Sequence, residues 1–283
     1  MDRFKILLLI LFFIILITFL WGNIKYRVVP FHIGNGSDEY QFRVLTWNIC
    51  GAKICNRKKQ EDITRLIISQ EADIVQLNEF CLDSCLIMDS LLNVFYPYKN
   101  DINSKSQVGD ISYSKIPLVE SRKISGIPNV IISKLNFSKD SLYFFGCHLA
   151  GNNREGQIEI HDADSLRRVK TFWTYYRNAQ EKRKVAASSI KKEILTYQLP
   201  VIVLGDMNDF NTSAPMDSLK DAGLKNAWWK GGSGYGATYH EGWLRLRIDH
   251  IYYNDKLKLK GVKVVNTDLS DHNLLIADFS FVN

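Results

Sequence analysis

Hydrophobic and polar positions alternate along this chain in two rhythms. "FRVLTWN" alternates with a period near two, as a half-buried strand does, and ends on Asn48. "KKQEDITRLIISQ" changes to helical spacing, with Ile63, Leu66 and Ile67 on one face. "ADIVQLNEF" returns to a strand that ends at Glu79, and "SLYFFGCHL" is another that ends at His148. A long polar helix, "YYRNAQEKRKVAASSIKKEIL", then leads to "VIVLGDMNDF". The unbroken apolar run Val201–Leu204 reads as a buried strand. The Gly-rich "KGGSGYGATY" follows, then the strand-like runs "LRLRIDHIYY", "GVKVVN" and "SDHNLLIADFSF". No internal repeat or low-complexity segment interrupts them. Helices and strands mixed in this way over residues 41–283 predict one α/β domain, with two packed sheets.

The first residues keep neither rhythm. Ile6–Leu20 is apolar apart from Thr18, with Arg3 and Lys5 before it and Trp21 after it. The run is shorter than the roughly 20 residues a bilayer span takes. A snorkelling Lys5 and an interfacial Trp21 lengthen it, and "ITFLWGN" has no small-x-small cleavage site. The expectation is a transmembrane signal anchor over residues 1–22, with 6–21 in the membrane. Pro30, Gly34, Asn35, Gly36 and Ser37 mark residues 23–40 as a linker. The flanking charges nearly tie by the positive-inside rule, and the signal-like start favours a body outside the cytoplasm.

Composition changes this picture little. Of 283 residues, 46% are hydrophobic and 23% charged, a globular balance that excludes a disordered or fibrous chain. A net charge of +6 permits an anionic partner without identifying one. Cys50, Cys55, Cys81 and Cys85 lie in two predicted loops, and Cys147 lies in a strand. In an exported protein the loop cysteines suit one or two disulfides. Free thiols are the next reading, and zinc is the last because neither spacing matches a zinc-site pattern.

The strand ends carry the chemistry. Asn48, Glu79, His148, Asp206 and Asn208 follow apolar runs, Asp249 lies within one, and Asp271 and His272 open the last. Singly, an Asn or Asp after a strand starts a turn or caps a helix, and a lone histidine is more often structural. Jointly, converging strand ends would make a hard-oxygen cation site beside two imidazoles. Mg²⁺, with Mn²⁺ as the alternative, takes such oxygens together with substrate phosphate. The chemistry that follows is metal-assisted hydrolysis of a phosphate ester. A histidine oriented by a buried carboxylate makes the base, and His272 with Asp249 fits that description.

Six segments in order, "LTWNIC", "IVQLNEF", "CHL", "VIVLGDMND", "RIDHI" and "SDH", resemble the endonuclease/exonuclease/phosphatase superfamily over residues 41–283. Thr238 and Tyr239 ahead of "RIDHI" add to the resemblance. It implies a four-layer α-β-β-α sandwich of two mixed sheets, with the active site at one edge. It also implies Glu79 as the main Mg²⁺ ligand with Asn48 beside it, and Asp271 near the metal or its waters. Asp206 and Asn208 would position water and phosphate oxygens, His148 would donate to the phosphate, and His272 would be the base oriented by Asp249. "GDISYSKIP" resembles the family's strand whose tyrosine lines the site, which here is Tyr113. Three positions depart from the pattern: Asn78 where a Gln is usual, His250 where an aromatic is usual, and Leu274 where a Pro is common.

The ester is less defined than the reaction. The basic stretch from Arg167 to Lys192 could track a nucleic-acid backbone, or be a solvated helix face broken by Glu181 and Glu193. Phe172, Trp173, Tyr175 and Tyr176 could stack bases or meet lipid, though such clusters more often pack. The leading expectation is a monomeric phosphodiesterase acting on nucleic acid. A lipid headgroup or soluble phosphate ester is the alternative. An inactive binding module is remote, because every expected catalytic group is present.

Overall fold

The structure, a computed structural model, describes residues 30, 39–51, 56–100, 109–152 and 165–282, the stretch 165–172 as backbone only. The expected anchor and most of the linker lie outside these residues. Among the described residues no helix is long and apolar enough to cross a membrane.

The chain begins with β1 (Phe42–Asn48), α1 (Arg57–Ser69), β2 (Ile74–Phe80), α2 (Leu86–Phe95), β3 (Tyr98–Asn100) and β4 (Gly109–Ser114). It crosses to β5 (Leu118–Ile124), β6 (Ile127–Asn136), β7 (Ser141–His148) and the long helix α3 (Ser165–Ile194). Next come β8 (Val201–Asp206), α4 (Ala214–Asp221), β9 (Lys225–Asn226) and α5 (Ala227–Gly231). A small hairpin of β10 (Tyr239–Glu241) and β11 (Leu244–Leu246) precedes β12 (Asp249–Tyr253), β13 (Leu257–Val265) and β14 (Leu274–Phe281). The run "LRLRIDHIYY" is therefore two strands, broken at Arg247 and Ile248, and Asp249 opens the second.

Two six-stranded sheets result, ordered β13-β14-β1-β2-β4-β3 and β5-β6-β7-β8-β12-β9. Each has one parallel pair, β1 with β2 and β7 with β8, among antiparallel neighbours. Three apolar clusters separate four layers. Ile63, Ile67, Met88 and Leu92 of α1 and α2 pack on Leu45, Trp47, Val75 and Leu77 of the first sheet. Phe42, Val44, Ile74, Phe144, Ile202, Leu204 and Ile251 fill the space between the sheets. Ala186, Ile190, Met216 and Leu219 of α3 and α4 cover Phe145, Val201 and Val203 of the second. This is the α-β-β-α sandwich.

Side-chain alternation then sets where polar groups emerge. On β1, Val44 lies between the sheets while Leu45 and Trp47 face the helices, so Thr46 and Asn48 continue the inter-sheet row. By the same period of two, Phe144 leads to His148, Ile202 and Leu204 to Asp206, and Ile251 back to Asp249. From this apolar cluster the inter-sheet layer passes through the buried polar side chains Thr46, Gln76 and Ser112 to one edge of the sandwich, where carboxylates, carboxamides and imidazoles collect.

Candidate active site

Strand register brings the second sheet's polar residues side by side. Asp206 lies opposite His148 on β7 and opposite Asp249 on β12. In the first sheet, Asn48 is opposite Asn78 across the parallel pair. Glu79 should point toward the helices by alternation, but β2 carries a bulge between Leu77 and Phe80. Glu79 sits at a φ of 56°, a left-handed conformation unusual for a non-glycine residue. The irregularity turns its carboxylate into the cluster, where its Oε1 is 3.1 Å from Asn48 Nδ2.

Two imidazole–carboxylate pairs flank a central acid. His272 Nδ1 is 2.8 Å from Asp249 Oδ2, and Asp249 is fully buried. His148 Nδ1 lies 3.3 Å from Asp110 Oδ1. The Nε2 atoms of both rings face the same oxygen, Asp206 Oδ2, at 3.8 Å from His148 and 3.9 Å from His272. Asn48 Nδ2 also donates to that oxygen at 3.1 Å. Asn208, in the left-handed region at φ 51°, donates its backbone N–H to Asp206 Oδ1 at 2.8 Å. Its side chain donates to Leu149 O at 3.0 Å. Asp271 Oδ1 lies 3.3 Å from Ser270 Oγ on the rim.

Burial opposes the charged form of His272, but Asp249, which also accepts its hydrogen bond, outweighs that effect together with Asp206 and Asp271. The ring's pKa is held up at about 9. For Asp206, burial and then the Asp249 charge push the carboxyl above its ordinary range, while both histidines and Asn48 pull the other way.

The surroundings fix these groups. Thr238 Oγ1 accepts the Asp249 N–H at 3.0 Å, and the Tyr239 ring packs edge-on to the His272 ring. Trp47 Nε1 donates to the His272 carbonyl, and Ser270 Oγ donates to the Asn48 carbonyl. These bonds tie the segment before β14 to the end of β1.

The expected Asn48, Glu79, His148, Asp206, Asn208, Asp249 and His272 thus converge, with Asp271 next to His272. Tyr113 does not join them. It alternates with Ser112 and Ser114, faces the helix layer with Ile111, is fully buried, and donates its hydroxyl to Asp89 at 2.6 Å. Asp110, three residues earlier, is the member of β4 that reaches the cluster. Its signal was the inter-sheet phase it shares with Ser112.

The three departures are absorbed differently. Asn78 is fully buried and bridges the sheets, donating to Asp110 and to the Cys147 carbonyl and accepting the Asp206 N–H. His250 faces the helix layer beside Asp209 and Asn226. Leu274 joins the core. Cys81, Cys85 and Cys147 carry free thiols, and Cys55, another of the four loop cysteines, lies outside the described residues.

The donor set fits a divalent cation. Glu79, Asp110, Asp206 and Asp249 set four carboxylates against two imidazoles. Among the described residues of this largely buried cluster, the carboxylates outnumber the imidazoles by two. Asp249 Oδ1 is also buried without a hydrogen-bond partner. Donor atoms of Asp206, Asp249 and His272 lie within 4.8 Å of one another. Asp249 and His272 are already bonded to each other, so the oxygens around Glu79 and Asp206 suit a hard cation better. Asn48 turns its NH₂ toward the acids and its oxygen toward Cys50 N, so it would have to rotate to act as a ligand.

A four-layer sandwich ending in such an acid–imidazole edge defines the phosphoesterase fold class. The chain belongs to the Endonuclease/Exonuclease/phosphatase family, whose model matches residues 45–272. Among similar solved structures is TDP2 of D. rerio, humanized by 14 mutations, at 18% identity and a TM-score of 0.64, covering 84% of this chain and 98% of that one. D. rerio TDP2 complexed with single strand DNA product superposes at the same TM-score of 0.64 and 16% identity, covering 84% and 98%. An endonuclease/exonuclease/phosphatase from Bacteroides vulgatus matches at 17% identity and a TM-score of 0.62, covering 85% and 99%. No curated protein matches the sequence.

Proposed function

We propose that this chain is a divalent-metal-dependent phosphodiesterase, and that nucleic acid is its substrate. The observation that carries the reading is the pair of imidazole Nε2 atoms, each held by a carboxylate at Nδ1, facing one buried acid between the two sheets. In its neutral form, which the pKa of about 9 favours only toward alkaline pH in the metal-free site, His272 takes a proton from water at Nε2 while Asp249 holds its Nδ1–H and stabilises the imidazolium. Asp206 and Asn208 orient that water and the phosphate oxygens. His148, steadied by Asp110, donates from Nε2 to a non-bridging oxygen. The P–O bond to the leaving group breaks as the water oxygen bonds to phosphorus. Glu79 would hold Mg²⁺ or Mn²⁺, with Asp271 and Asn48 beside it. The cation would supply charge neutralisation at the phosphate and the leaving oxygen.

The test uses the full chain and its His272→Ala variant on bis-p-nitrophenyl phosphate and plasmid DNA, with Mg²⁺ and then with excess chelator. The parent should cleave both substrates only with metal. The variant should lose about 10²–10⁴-fold in rate, the range of a positioned base. Chelator-resistant cleavage, or an unimpaired variant, would remove this mechanism.

One observation favours a lipid headgroup as the second reading. Trp243, 91% exposed, tips the β10–β11 hairpin whose Tyr239 contacts His272, and such an indole suits a membrane interface. Headgroup release from phospholipid vesicles without DNA cleavage would select it.

A further inference from the structure

A cleft of about 860 Å³ opens directly beside His148. Its floor is the segment His148–Asn152, one wall is Gly126 with the first residues of β6, Ile127 to Asn129, and the other is α3. Tyr175, Asn178, Ala179 and Lys182 line it at helical spacing, so one face of α3 is turned to it. Its size lies within the roughly 300–1,000 Å³ of pockets that bury whole small molecules, far more than a phosphoryl group needs.

The lining points to the class of ligand. Among the described lining residues, Glu181 and Lys182 carry the full charges beside His148, so these walls offer no excess of cations for a row of phosphates. Ile127, Pro128 and the Tyr175 ring supply flat apolar surface, while Asn129, Asn152 and Asn178 supply carboxamides. Acyl chains would strand those amides without partners. A planar, uncharged group rich in hydrogen-bonding edges suits both halves of the lining.

The floor is preformed. Arg183, fully buried on α3, donates to the Ala150 carbonyl at 2.6 Å and twice to Asn152 Oδ1 at 3.1 Å. With its oxygen engaged, Asn152 keeps its NH₂ group for the cleft.

We propose that this cleft receives the nucleoside attached to the scissile phosphate, with the base against Tyr175 and its edges met by the carboxamides. The inference rests on the phosphodiesterase reading and narrows it: the substrate is recognised through a nucleoside next to the reacting phosphorus.

The experiment is calorimetric titration of the full chain with thymidine 5′-monophosphate, methyl phosphate and phosphocholine. It is repeated on Asn178→Trp, which fills the cleft from an exposed helical position, after a thermal melt shows that variant folded. Thymidine monophosphate should bind at least about 10-fold tighter than methyl phosphate, the margin one or two stacking and hydrogen-bond contacts supply. Asn178→Trp should abolish that margin and leave methyl phosphate unchanged. Equal binding of the two, no binding of either, or a margin that survives Asn178→Trp each overturns the nucleoside site. Tighter binding of phosphocholine, lost in the same variant, overturns it in favour of a lipid headgroup. Hydrolysis of bis-p-nitrophenyl phosphate by the same sample separates failure of the cleft from failure of the phosphodiesterase reading.

Discussion

His250 is buried with both ring nitrogens engaged: Nε2 lies 2.9 Å from the Asp209 carbonyl and Nδ1 lies 3.2 Å from Asn226 Nδ2. A carbonyl needs a donor and an amide NH₂ needs an acceptor, so the neutral tautomer protonated at Nε2 satisfies both. Burial, and then Arg247, push its pKa down to about 4. An unfolded chain would protonate this ring near its ordinary 6.5. Between those values the unfolded state binds the extra proton, so stability is full above pH 6.5 and declines as pH falls toward 4. The loss amounts to about 3 kcal/mol at the low end. Denaturant unfolding at pH 7 and pH 4.5 should show a larger acid loss for the parent than for His250→Phe. Equal losses would mean that His250 does not titrate this way. Where alternation and chemistry agreed, the sequence pointed to strand ends that do lie together, as at Asn48, Asp206 and Asp249. It went astray on β4, where likeness to a family strand drew attention to Tyr113, although strand phase places Asp110 in the cluster.

The loop after β8 depends on a glycine that permits an otherwise crowded strand end. Gly205 has φ 137°, and a Cβ there would stand 1.9 Å from the Cys147 carbonyl on parallel β7. Gly205→Ala should therefore cost about 3 kcal/mol or more, or prevent folding. Gly223→Ala is the control, because φ 83° brings backbone strain with nothing within 4 Å of the new Cβ. It should cost about 1–2 kcal/mol. A similar midpoint shift for both in denaturant would show that the close approach to β7 is unimportant. β8 itself was plain in the sequence, because a strand covered on both faces is an apolar run. The hairpin β5–β6 was not, since "LVESRKI" lies at a sheet edge with much of its surface exposed and no consistent apolar face. Glu79 reads as a strand end, but no period of two shows the bulge that turns it into the cluster.

Across the whole molecule, the inward guanidinium of Arg183 fastens the outer helix α3 to the edge that holds the cluster. Arg183 Nε stands 3.1 Å from Asp209 Oδ2, one residue beyond Asn208, and both side chains are buried. In the sequence it sits in a basic stretch that reads as surface charge, yet its side chain is turned inside. Lys184 and Lys191 do lie on the exposed face, paired with Glu181 and Asp221. Arg183→Ala should cost about 3–5 kcal/mol by leaving Asp209 charged and unpaired. It should also lower turnover, because the His148–Asn152 and Asn208 segments lose their common anchor. Adding Asp209→Ala should recover part of the stability. A double variant as unstable as the sum of the two singles would show that the pair is not coupled.

Asn48, Glu79 and Asp110 belong to the first sheet, and His148, Asp206 and Asp249 to the second. Asn78 is hydrogen-bonded across the gap between them. The proposed base, His272, arrives just ahead of β14, which inserts between β13 and β1. In the order of synthesis His272 follows every other member of the cluster, so the proposed centre is assembled only when the segment leading into β14 docks. The proposed chemistry needs both sheets together, because neither sheet alone carries the full set of groups.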